Sequence, residues 1–164
     1  HAPQDLVIVS PDAGRVKVAE RFAQHLSDLN ADVAFINKRR PQGTTNIAIA
    51  KEVIGDVDGR LCILTDDMID TGGTIVSAAE LLLERGAKEV WAMATHGVLS
   101  DPAVERLSKS PISRVVLTNT LPLAQEKHFD KVEVLSVAKI IADALAAVFD
   151  ETSVSELFDG ENQS

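Results

Sequence analysis

The sequence predicts an α/β fold, a mainly parallel twisted sheet with helices on both faces. Apolar runs of strand length alternate along the chain with segments of helical period, the pattern that βαβ crossovers leave in a sequence. The ends of the apolar runs that begin at Leu6, Val33, Leu61 and Glu89 lead into Asp12, Lys38, Asp66 and His96. Open parallel sheets bind ligands outside the carboxyl ends of their strands, so these side chains converge where a site is expected. At 164 residues there is chain enough for one domain with a proper core, over residues 1–158.

Taken in order, residues 6–10 read as a buried strand, and Gly14 opens an amphipathic helix with Val18, Phe22 and Leu26 on one face. A second strand covers 32–37. Residues 38–45, KRRPQGTT, have no periodicity and contain strong breakers, which predicts a mobile loop. Alternation of Ile47, Ile49 and Lys51 favours a strand over 47–53, and 56–59 is a turn. An apolar strand at 61–64 then stops, and a helical pattern runs from Ile75 to Leu83 until Gly86 ends it. Strands follow at 89–95, 114–119 and 132–135, with a short helix at 102–108. Ser136 caps a last helix, 137–149, whose apolar face carries Val137, Ile140, Ile141, Leu145 and Val148. The polar end, 159–164, reads as a frayed tail.

Between the strand at 61–64 and the helix lie three carboxylates, Asp66, Asp67 and Asp70, and then Thr71-Gly72-Gly73-Thr74. A strand, a tight turn of small residues and a helix start leave a cradle of free backbone N–H groups. Such a cradle binds phosphate, assisted by the positive end of the helix dipole. Acidic groups beside an anion site make sense for a sugar phosphate, whose hydroxyls or bridging divalent cation the carboxylates take. The plainer reading is an acidic loop before a helix capped by Asp70 or Thr71.

The whole string LCILTDDMIDTGGTI resembles the loop that binds 5-phosphoribosyl 1-diphosphate (PRPP) in type I phosphoribosyltransferases and in ribose-phosphate pyrophosphokinases. Ser10-Pro11-Asp12-Ala13-Gly14, the run from Ala34 to Pro41, Ala94-Thr95-His96 and Leu121-Pro122-Leu123 resemble the pyrophosphokinase family in order and spacing. So does Ser153-Val154-Ser155-Glu156-Leu157-Phe158, and the resemblance covers the second half of a full-length enzyme. It implies a phosphoribosyltransferase type I-like fold and transfer of the diphosphoryl group of ATP to ribose 5-phosphate, giving PRPP and AMP. It further implies that Asp70, Thr71, Gly72, Gly73 and Thr74 hold the 5-phosphate and that Asp66 and Asp67 hold the 2- and 3-hydroxyls. Asp12 would ligate Mg²⁺, and Lys38 and Arg40 would close over the transferring phosphates. Family members form hexamers built from dimers, regulated by ADP and phosphate through a region that includes 153–158. The half of the enzyme that contacts adenine is absent from these residues, so the fragment is expected to be inactive alone.

Two positions depart from the family pattern. Arg15 and Lys17 stand where Gly and a small or apolar residue are usual, so Arg15 either crowds the diphosphate loop or adds a positive contact. Other readings are a phosphoribosyltransferase, which consumes PRPP and needs no Lys38-Arg39-Arg40, and a non-catalytic regulatory subunit, which should have lost site residues. A formal net charge of −9 speaks against nucleic-acid binding. No apolar run reaches the length of a membrane span, and no secretory signal is visible, which predicts a cytoplasmic protein. The single Cys62 lies in an apolar strand and reads as a core residue rather than a nucleophile. His96 reads as a structural histidine, and His25 and His128 as surface residues.

Overall fold

The computed structural model describes residues 5–39, 50–150 and 152–154. Seven strands form one sheet: β1 (Leu6–Ser10), β2 (Asp32–Arg39), β3 (Ala50–Ile54), β4 (Leu61–Ile69), β5 (Glu89–Gly97), β6 (Arg114–Thr118) and β7 (Val132–Leu135). The helices are α1 (Val16–His25), α2 (Gly73–Glu84), α3 (Ala103–Lys109) and α4 (Ala138–Phe149). The strand order is β3-β2-β1-β4-β5-β6-β7. Every neighbouring pair is parallel except β2 with β3. The α/β architecture expected from the alternating pattern is therefore the one observed.

Side chains alternate across a strand, so each strand feeds two cores. Val7, Val9, Cys62 and Leu64 point into a cluster with Ile75, Ala79 and Leu82 of α2 and Leu107 of α3. Leu6, Ile8, Leu61 and Ile63 face the other way, against Ala19 and Ala23 of α1 and the partly buried Phe22 and Leu26. Strand β1 is buried along its whole length, which is why it reads as an unbroken apolar run. Complete burial of each Val, Leu or Ile contributes roughly 1.5–3 kcal/mol. Cys62 lies fully inside, its thiol pushed up to about 12, first by desolvation, with Arg60 acting against it. It is the core residue that the sequence indicates.

Gly86 ends α2 as expected: it adopts φ +91, and its N–H donates to the Leu83 carbonyl at 3.0 Å. Other expectations need correction. Strand β4 does not stop at residue 64 but runs through the acidic pair to Ile69, because β5 continues alongside it and pairs Asp66 with Ala94 and Met68 with His96. Strand β2 runs on through Lys38 and Arg39, which pair with Lys51 and Ala50 of antiparallel β3, so the loop does not begin at residue 38. The remaining loop positions, and Ile47 and Ile49 of the expected strand, lie outside the described residues. Val18 is 52% exposed, although Phe22 on the same helix and Leu26, the residue that caps its end, are partly buried.

The apolar residues of α4 do not form a buried face either. Ile140, Ile141, Leu145 and Val148 are all more than half exposed, and only Ala147 of that helix is buried. The helix follows the edge strand β7, half of whose side chains are themselves exposed, so little sheet surface is available to it. Its start differs by one residue from the expectation: the helix begins at Ala138 with Val137 as N-cap and no side-chain cap hydrogen bond, and Ser136, one position earlier, accepts from the Ala138 N–H through Oγ at 3.2 Å. Among the described residues no helix is long and apolar enough to cross a membrane.

Candidate functional site

Strand order reverses direction between β1 and β4, since β2 lies on one side of β1 and β4 on the other. A crevice opens at the carboxyl ends of strands wherever this happens. The turn after β1 supplies Asp12 and Arg15 to one wall, and the end of β4 supplies Asp66, Asp67 and Asp70 to the other.

The phosphate-type cradle follows directly. Gly72 is the N-cap of α2, with φ 73 and no side-chain cap hydrogen bond. Neither Asp70 nor Thr71 caps the helix, against the plainer expectation, because the left-handed turn at Gly72 takes the chain into the helix two residues earlier than residue 75. The first intrahelical bond runs from the Val76 N–H to the Gly72 carbonyl at 3.0 Å. The amides of Gly72, Gly73, Thr74 and Ile75 thus have no intrahelical acceptor. They line a cavity of about 280 Å³ together with Asp66, Met68, Ile69, Asp70 and Thr71. Any residue but glycine at 72 would meet Leu107 at 3.4 Å, in a backbone conformation that L side chains rarely adopt.

Arg106 of α3 belongs to this cradle and was not foreseen. Its Nη1 donates to the Thr71 carbonyl at 2.5 Å and lies 3.3 Å from where a Gly73 side chain would begin. It fixes the turn and brings positive charge to the rim of the amide cluster. In the sequence it is one basic residue of a short helix, 35 positions away, and nothing marks it there.

The acidic pair sits beside the cradle. The Asp67 N–H donates to Asp66 Oδ1 at 2.8 Å, and the Met68 N–H donates to Asp67 Oδ1 at 2.8 Å. Arg15 crosses the crevice: its Nη2 donates to Asp67 Oδ2 at 2.6 Å, and its Nε lies 3.6 Å from Asp66 Oδ1. Desolvation pushes the Asp66 carboxyl up; the Asp67 N–H and Arg15 oppose this, and the Asp67 carboxylate adds to it. Desolvation also works to raise Asp67, but hydrogen bonds with Asp66 and Arg15 outweigh it and hold that carboxyl below its ordinary value. Two adjacent acids with separated affinities for a proton are suited to two hydrogen-bonding roles on one ligand.

Asp12 caps the 3-10 turn Ala13–Arg15 by accepting from the Gly14 N–H at 2.8 Å through Oδ1. Among the described residues no group of three or more His, Cys, Asp or Glu could enclose a metal. One strand-end carboxylate fits a Mg²⁺ that keeps several waters and is brought by substrate phosphates, and does not fit an all-protein cage. Lys38 is placed at the end of β2, and Arg40 lies outside the described residues. His96, read from the sequence as a structural histidine, has its Nδ1 2.8 Å from Thr120 Oγ1, which in turn donates to the Thr95 carbonyl. His25 and His128 are exposed.

Residues 30–159 match the phosphoribosyl synthetase-associated domain. The chain belongs to that family. This phosphoribosyl synthetase-associated domain is 53% identical to the ribose-phosphate pyrophosphokinase of Streptomyces coelicolor over 154 residues, which is 94% of the chain and 47% of that protein. It is likewise 53% identical to the ribose-phosphate pyrophosphokinase of Caldanaerobacter subterraneus, again over 94% of the chain and 47% of the relative. The crystal structure of phosphoribosylpyrophosphate synthetase from Mycobacterium smegmatis superposes with a TM-score of 0.80 at 49% identity, covering 92% of this chain and 47% of that one. The domain thus spans about half the length of the curated relatives it matches.

Proposed function

We propose that this domain is the sugar-phosphate half of a ribose-phosphate diphosphokinase, which moves the diphosphoryl group of ATP to ribose 5-phosphate. The observation that carries the reading is the helix start at Gly72, where four amides and the helix dipole remain open because no side chain caps them. The amides and the hydroxyls of Thr71 and Thr74 take the 5-phosphate, and Arg106 braces the turn that presents them. Asp66 and Asp67 accept from the 2- and 3-hydroxyls, which leaves the 1-hydroxyl facing the wall that Asp12 occupies. In the reaction the 1-hydroxyl oxygen bonds to the β-phosphorus of ATP, the bond from that phosphorus to the α,β-bridging oxygen breaks, AMP leaves, and the hydroxyl proton passes to water.

Such a transfer asks the protein mainly for positioning and charge neutralisation. Asp12 would hold Mg²⁺, which when bound supplies charge neutralisation on the diphosphoryl oxygens. Lys38 and Arg40 add positive charge over the same group and keep water from it. The names and the roughly 50% identity of the relatives support the reading. The adenine contacts belong to the half of the enzyme outside these residues. Alone, then, the domain binds ribose 5-phosphate but does not turn over; the intact enzyme works in the cytoplasm as a homo-oligomer.

Calorimetric titration tests this directly. Ribose 5-phosphate should bind to the domain, Gly72→Ala should weaken it at least ten-fold by closing the left-handed turn, and Asp67→Asn should weaken it several-fold. Absence of binding, or binding indifferent to both substitutions, overturns the reading. Base-dependent release of diphosphate from PRPP would point to a phosphoribosyltransferase instead.

A further inference from the structure

Arg15 is one of the two departures from the family pattern, and among the described residues its side chain joins the two walls of the crevice. From the turn after β1 its guanidinium reaches across to both carboxylates at the end of β4, 2.6 Å from Asp67 and 3.6 Å from Asp66. The oxygens of the acidic pair can be accounted for one by one. Asp66 Oδ1 accepts from the Asp67 N–H, Asp67 Oδ1 from the Met68 N–H, and Asp67 Oδ2 from Arg15 Nη2. Of these four oxygens Asp66 Oδ2 alone accepts from no N–H of the described residues, and it is left to the side-chain hydrogen bond that the two carboxyls share. A vicinal diol shared between two carboxylates needs an outward-facing oxygen on each. On Asp67 that oxygen is the one Arg15 holds.

We infer that Arg15 is a specificity-determining counter-ion, a built-in cation that a sugar diol must displace from Asp67 before both carboxylates can grip it. The inference rests on the proposed role of Asp66 and Asp67 as diol acceptors and adds to it the competitor that sets their affinity. The geometry allows the exchange at low cost. The Arg15 side chain is 39% exposed and that of Asp67 41%, so solvent screens the pair and replaces it readily. A guanidinium forks onto carboxylates better than an ammonium does, so its hold is directional as well as electrostatic. Neutralising two adjacent acids also keeps the sugar-free crevice from repelling the phosphate that must enter beside it.

The consequence is a selective one. A 5-phosphate sugar without the diol docks by its phosphate with Arg15 still in place, whereas ribose 5-phosphate has to move it. Arg15 therefore compresses the difference in affinity between the two ligands. Calorimetry with ribose 5-phosphate and with 2,3-dideoxyribose 5-phosphate separates the contributions. Arg15→Gly and Arg15→Gln should each bind ribose 5-phosphate about two- to five-fold more tightly, the range an exposed ion pair supports, with the dideoxy ligand unchanged. In an Asp67→Asn background the Arg15 substitutions should lose their effect, and Arg15→Lys should fall between the parent and Arg15→Gln.

Weaker ribose 5-phosphate binding by the Arg15 variants overturns the inference, because Arg15 would then be a direct substrate contact. An equal change for both ligands, or no change for either, overturns it as well. Those outcomes are distinct from failure of the underlying reading. If the parent domain fails to bind, or binds the two sugars with equal affinity, the assignment of the site or of the diol to Asp66 and Asp67 falls before Arg15 is considered. Circular dichroism of the two Arg15 variants, which differ in side-chain length and share the loss of charge, identifies any change that arises from folding alone.

Discussion

At the scale of one residue, Asp66 lowers the stability of the chain at a position where the proposed function places a ligand. Its carboxyl is raised by desolvation before any other cause, with its side chain only 21% exposed. The sign follows from linkage. A carboxyl with its folded pKa raised favours folding while protonated, and the fold loses that advantage as pH climbs from the ordinary carboxylate range through the raised value. Above the raised value the penalty is present in full. Asp66→Asn, neutral and nearly isosteric, should therefore raise the melting temperature at pH 7 and leave it unchanged near about pH 3, where aspartate is protonated folded or unfolded. The same variant should bind ribose 5-phosphate more weakly. Thermal melts at the two pH values, paired with calorimetry, test both halves; a lower melting temperature at pH 7 would mean that the hydrogen bond from the Asp67 N–H outweighs desolvation. Gain in stability with loss of binding is the trade expected of a functional group.

At the scale of elements, the legible parts were those that local chemistry fixes. The apolar runs at β1 and β4 need two covered faces, and glycine at 86 needs a left-handed stop, so both could be read without a structure. The turn Thr71-Gly72-Gly73-Thr74 was legible as a cradle, but its cap was not: choosing Gly72 over Asp70 depends on the approach of Leu107 and on Arg106, both from α3. Strand ends were misjudged in the same sense twice. Acidic and basic residues look like loop, yet β5 carries β4 through Asp66 and Asp67, and β3 carries β2 through Lys38 and Arg39. Partnering between distant segments overrides local polarity there. Helix α4 errs the other way, since its helical period is apolar without being buried. Ile141 and Leu145 are 56% and 55% exposed. The double substitution Ile141→Gln and Leu145→Gln should accordingly shift the stability of this domain by no more than about 0.5 kcal/mol, as surface positions do. A denaturant titration checks it; a loss of 2 kcal/mol or more, roughly what burial of such a side chain contributes, would show that the face is covered in solution.

For the whole molecule the governing quantity is the net charge of −9, set against a proposed ligand, ribose 5-phosphate, that is itself a dianion. The acids Asp12, Asp66, Asp67 and Asp70 stand around the crevice, while the donors of the cradle are neutral amides and hydroxyls, with Arg106 at the rim. Arg15 offsets Asp66 and Asp67 within the crevice, so it is the net charge of the whole domain that repels long-range approach, while on the proposed reading short-range binding is carried by dipoles that salt barely touches. The screening length falls from about 30 Å at 0.01 M to about 10 Å at 0.1 M ionic strength, enough to remove the far field and leave the cradle intact. Raising sodium chloride over that interval should speed association of ribose 5-phosphate with the domain and leave its dissociation rate nearly constant, so that affinity rises modestly with salt. A site that held its phosphate by clustered lysines and arginines would behave oppositely, because salt would screen the attraction. Stopped-flow or NMR line-shape measurements across the series distinguish the two. A fall in affinity with added salt would mean that basic side chains, not the open start of α2, hold the phosphate.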